Sequence, residues 1–63
     1  MFKKSEIRLA REVREVALVE TALRAGETTT RLSLLERGLV EPRPGEIERI
    51  LAAVEEIAAE RGR

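Results

Sequence analysis

The chain has 63 residues, as many acidic as basic side chains, and a formal net charge of zero. It contains no His, Cys, Asp, Asn, Gln, Tyr or Trp. That removes most of the side chains used in general acid–base and nucleophilic catalysis, and it argues against an enzyme. Without cysteine no disulfide or thiolate metal site can form. No metal and no cofactor is expected.

The length bounds a single domain over 1–63. A domain of this size buries only about 60% of its unfolded surface, so it is marginal alone and gains from oligomerisation. The longest apolar runs, 16–19 and 50–54, are too short to span a membrane. No apolar region follows Lys3 and Lys4, so the start does not read as a secretory signal. A cytoplasmic chain with no membrane partner is expected. The charges do not cancel locally: the part before Leu39 is slightly basic and the part after it slightly acidic.

In chain order, Ser5 offers an N-cap hydroxyl, with Glu6 at the positive end of the helix dipole. Ile7, Ala10 and Val13 recur at helical spacing and predict a helix over 6–15. Arg8, Arg11 and Arg14 share its flanks with Glu12 and Glu15, mostly as a solvated face. Val16 and Ala17 link to a second helix over 18–25, poorly capped because Ala17 has no side-chain acceptor. Taken alone, that helix buries the side carrying Val19, Ala22 and Leu23 and exposes Thr21. Gly26 suits a left-handed turn. Thr28 then caps a third helix over 29–37, with Leu32 and Leu35 on its core side and Gly38 closing it. The stretch 25–38 thus reads as helix, tight turn, helix, the second helix starting in a row of hydroxyl side chains. Pro42 and Pro44 hold 39–45 as a loop. Ile47, Ile50, Leu51, Val54, Ile57 and Ala58 then form the stripe of a long helix over 46–61, with Gly62 as its stop.

At 11–54 the sequence resembles the lambda-repressor-like helix-turn-helix family, also called Cro-type or XRE-type. The matching positions are the Arg-Glu pair beginning at Arg11, Ala22, Ala25-Gly26, Thr28, Leu32, Leu35-Glu36-Arg37-Gly38, the run from Val40 to Pro44, and Ile47, Ile50, Ala53 and Val54. The Leu-Glu-Arg-Gly ending followed by the Pro-rich loop is the most specific of these. The resemblance implies an all-α, compact four-helix domain with its core over 5–54 and a helix-turn-helix over 18–37. It also implies a sequence-specific DNA-binding transcriptional regulator, a repressor or its like. Such a protein would bind double-stranded DNA as a homodimer, with the helix over 29–37 in the major groove. By position, Thr29, Thr30, Ser33 and Leu34 would face base edges, while Thr28, Arg31, Arg37 and Arg43 would lie toward phosphates. Arg11 and Glu36 would form a buried ion pair. Lys3 and Lys4 read equally as a phosphate-touching arm and as a solvated tail. With no Asn or Gln to read adenine, direct readout is expected to be modest. Threonine methyls would meet thymine methyls, and DNA shape would share the work.

The departures from the family also carry information. Leu18 stands where the family has Gln, Thr21 where it has a core aliphatic, and Glu27 where it has an apolar turn residue. Val19, Leu23 and Leu34 are apolar at surface positions. Either the second helix is rotated, or Leu18, Val19, Leu23 and Leu34 form an exposed patch of the kind that marks a protein contact. The alternative function is therefore a degenerate helix-turn-helix domain acting as a protein-interaction module, antirepressor-like or antiactivator-like, toward another regulatory protein. The extended C-terminal helix, 45–61, runs past the point where family members break, and makes Ile57 and Ala58 the candidates for dimerisation.

Overall fold

The structure is a computed structural model that describes residues 4–62, apart from the side chains of Lys4 and Ser5. The cap expected of the Ser5 hydroxyl and the arm or tail expected of Lys3 and Lys4 lie outside the described residues. Among the described residues four α-helices make up all the regular structure: α1 (Lys4–Val13), α2 (Leu18–Ala25), α3 (Thr29–Glu36) and α4 (Glu46–Arg61). The chain is all-α.

The first helix ends two residues before the predicted 15, and the cause is local. Glu15 adopts a left-handed conformation, φ 56°. Its N–H donates to the Glu12 carbonyl at 3.1 Å, and the Val16 N–H donates to the Arg11 carbonyl at 2.9 Å. This pair of bonds is the Schellman closure, usually built on glycine. It turns Val16 into the core, where it is 3% exposed, and leaves Val13 at 69%. The expected stripe of Ile7, Ala10 and Val13 is corrected accordingly: Ile7 is buried, Ala10 half-buried and Val13 exposed.

At the end of α2 the same closure recurs on Gly26, φ 75°, with Glu27 N–H to Ala22 carbonyl at 2.8 Å. Ala22 is buried as the pattern of α2 predicts, but the residues beside it exchange places. Thr21 is fully buried, whereas Val19 and Leu23 are exposed. Thr21 can enter the core because its hydroxyl donates to the Ala17 carbonyl at 3.0 Å, leaving no unmet polar group. The small residues Ala22 and Ala25 lie buried beside it. The weak Ala17 cap is relieved from the other side, since the Glu20 carboxylate accepts the Ala17 N–H at 3.2 Å.

Thr28 caps α3 as expected, its hydroxyl accepting the Arg31 N–H at 3.0 Å. Pro44 and Gly45 occupy the central positions of a type II turn, with Gly45 at φ 76° and the Glu46 N–H donating to the Arg43 carbonyl at 3.0 Å. That turn starts α4. α1 and α2 each pack against both α3 and α4. The main core joins Ile7, Ala22, Leu32, Leu35, Ile50 and Ala53. A second cluster joins Val16, Val54 and Ile57, with Ala10 against it. A fully buried Ile, Leu or Val contributes about 1.5–3 kcal/mol, so these few side chains carry much of the fold. Ile57, expected at a dimer seam, is 5% exposed and belongs to this core instead. Its neighbour Ala58 is half-buried. Among the described residues no helix is long and apolar enough to cross a membrane.

Candidate nucleic-acid interface

The end of α2, the turn over 26–28 and α3 form one continuous unit. On α3, residues 29, 30, 33 and 37 fall on one side at helical spacing. Thr29 and Thr30 are exposed and Ser33 is half-buried. Together with Leu18 and Arg37 they line a shallow depression of about 320 Å³. Leu34, expected among the base-facing residues, is half-buried and does not line it. One residue on from Ser33, it is turned about 100° around the helix. Leu18 also packs against the main core.

The arginines decide where positive charge is available. Arg11 forms the ion pair implied for it. Its Nε and Nη2 donate to the two Glu36 oxygens at 2.7 and 2.9 Å, and its Nη1 donates to the Val16 carbonyl at 3.1 Å. The Glu36 carboxylate holds the Arg11 guanidinium above its ordinary pKa. Arg31, expected at a phosphate, is committed elsewhere. Its Nε and Nη2 donate to Glu46 at 3.0 and 2.9 Å, and Nη2 also donates to the Glu41 carbonyl at 3.0 Å. Glu46 is fully buried and also accepts the Arg43 N–H at 2.7 Å. The Arg31 guanidinium, opposed by burial and aided by the Arg43 N–H and the Glu27 carboxyl, holds the Glu46 carboxyl down to about 2. An arginine so engaged is an internal clamp between α3, the loop and α4.

Glu27, the polar residue in the turn, is satisfied from α4. Arg49 Nη2 donates to it at 2.7 Å, and Arg49 Nε donates to the Ala25 carbonyl at 3.1 Å. Arg8 pairs with Glu12, Arg14 with Glu55, and Arg24 with Glu56 and Glu60. Arg61 pairs with Glu20 and donates to the Glu15 carbonyl. This leaves Arg37 and Arg43 as the arginines that form no ion pair among the described residues, and both are exposed. Arg37 borders the depression just past the C-terminal end of α3. Arg43 is tethered through its N–H to the carboxylate that grips Arg31, in the first turn of α3. The two unpaired guanidinium residues therefore flank α3.

A larger depression of about 500 Å³ lies between α2 and α4, lined by Glu20, Leu23, Arg24, Ile57, Glu60 and Arg61. Its charges face one another: Arg24 holds Glu60 at 2.8 Å through both nitrogens, and Arg61 holds Glu20. A surface whose charges are mutually satisfied offers less to a charged ligand than one with a spare cation. The four-residue apolar patch is also reduced. Leu18 and Leu34 are half-buried, and only Val19, at 54%, and Leu23, at 77%, stand out in solvent. Among the described residues no cluster of acidic side chains is placed to hold a metal ion.

Comparison with protein-family models, curated proteins and solved structures finds no match to this chain.

Proposed function

We propose that the chain is a sequence-specific DNA-binding transcriptional regulator. In this reading α3 lies in the major groove with Thr29, Thr30 and Ser33 toward the bases, and Arg37 and Arg43 hold the flanking phosphates. The protein binds as a homodimer, one α3 per half-site, with half-sites about 10–10.5 base pairs apart. The observation that carries it is the pairing pattern: among the described residues, the arginines without an ion pair flank α3, whose outer face is hydroxyl-rich. The phosphate contacts are few, which suits a chain of zero net charge.

A titration of duplex binding against ionic strength tests the proposal. Four guanidinium–phosphate contacts per dimer lower affinity on the order of 100-fold between 50 and 200 mM salt. Undetectable binding at low salt, or binding indifferent to salt, would refute it.

The alternative, contact with another regulatory protein, is favoured by one observation. Val19 and Leu23 are exposed one turn apart on α2. Serine at both positions abolishes a contact made there, adds no charge, and leaves DNA affinity unchanged. If sedimentation and partner capture are unaffected by both serines, the alternative fails.

A further inference from the structure

We propose that this face recognises thymine through its C5-methyl group, with Leu18 as the specificity-determining side chain and Thr29 and Thr30 beside it. The inference rests on the DNA-binding reading above and adds what the face reads. In the major groove adenine is read best by Asn or Gln, cytosine by an acidic acceptor and guanine by Arg. The depression is lined by no amide and no carboxylate. Hydroxyls of Thr and Ser pair with either base and discriminate little. Arg37 lies past the C-terminal end of α3, whereas bases are met by the first residues of such a helix. What the lining does hold is methyl groups: two on Leu18 and one on each threonine.

Thymine carries the one apolar knob among the base edges of the major groove. The depression that would receive it is built from two elements, Leu18 at the start of α2 and the threonines at the start of α3. Leu18 is half-buried and packed against the core, so little side-chain freedom remains to be lost on contact. A Gln there would hydrogen-bond; a Leu can only be covered by something apolar.

The test uses the unaltered protein. The tightest duplex from a randomised pool is resynthesised with deoxyuridine replacing each thymine in turn. The swap removes one methyl and leaves every hydrogen-bonding group in place. One or two positions per half-site then bind about fourfold more weakly, the worth of one buried methyl group. At those positions a cytosine variant regains about fourfold on conversion to 5-methylcytosine. Leu18→Ala binds the thymine and uracil duplexes equally, while Leu18→Met keeps the difference. Equal binding of thymine and uracil duplexes at every position overturns the proposal while leaving DNA binding intact. If no duplex binds even at low salt, the functional reading itself falls and this inference falls with it. Should Leu18→Ala fail to fold, the uracil series on the unaltered chain still decides.

Discussion

Replacing Glu36 by Gln is expected to be among the most damaging single changes in this chain. The carboxylate accepts two guanidinium hydrogen bonds from Arg11, and the two side chains are 7% and 13% exposed. Removing one partner of such a pair strands the other charge, which costs about 3–5 kcal/mol. The lower figure, about 3 kcal/mol, applies here because Arg11 keeps its bond to the Val16 carbonyl. A chain of 63 residues has a total stability of roughly 3–9 kcal/mol. The change therefore removes a third or more of it. At about 4–8 °C per kcal/mol for a domain of this size, the melting temperature falls by roughly 12–24 °C. The assay is thermal unfolding followed by circular dichroism at 222 nm. The double variant Arg11→Met, Glu36→Leu removes both charges and returns to within about 1 kcal/mol of the original. Two results would refute the reasoning: a single variant costing less than about 1 kcal/mol, or a double variant costing the sum of the singles.

Other expectations follow from the same contacts. Arg37→Ala and Arg43→Ala each weaken DNA binding about equally across sequences and lower the salt slope by about one per phosphate contact removed, read by titration. Arg31→Met instead lowers the melting temperature and leaves that slope unchanged, because its guanidinium is held by Glu46. Acid is expected to unfold the chain over a defined window. The Glu46 pKa falls from its ordinary 4.5 to about 2 on folding, so its stabilisation is complete above pH 4.5 and is lost as pH drops toward 2. Glu20, held low first by Arg61 and then by the Ala17 N–H, acts in the same direction. Helicity that stays level from pH 5 to 2 would contradict this. Finally, Glu15→Gly relieves a left-handed residue whose side chain makes no ion pair among the described residues. It is expected to raise stability by about 1 kcal/mol, seen as a melting temperature about 4–8 °C higher.

The ends of α2, α3 and α4 are legible in the sequence because neighbours in the chain set them: Gly26 and Thr28, then Pro44 and Gly45. The errors come where a contact reaches further. Thr21 reads as a surface residue until its hydroxyl is seen to close on its own helix. Val13 reads as core because no glycine announces the turn at Glu15. Ile57 reads as surplus to a small core, yet the displaced Val16 gives it a partner. Arg31 reads as a free cation because its acceptor lies 15 residues away, across the loop. At the candidate site the hydroxyl row and Arg37 were visible in the sequence. The availability of Arg37 and Arg43 was not, since it depends on which other guanidiniums find a carboxylate.

The lattice of Arg–Glu pairs has a consequence for behaviour on heating. The desolvation penalty of an ion pair shrinks as temperature rises, while the gain per unit of buried apolar area levels off. A fold pinned by seven paired arginines among the described residues thus loses less ground at high temperature than one resting on its few aliphatics alone. The same chain has no Asn, Gln or Cys to deamidate or oxidise. Molecules that melt are therefore expected to regain their helicity on cooling, which a repeated thermal scan checks.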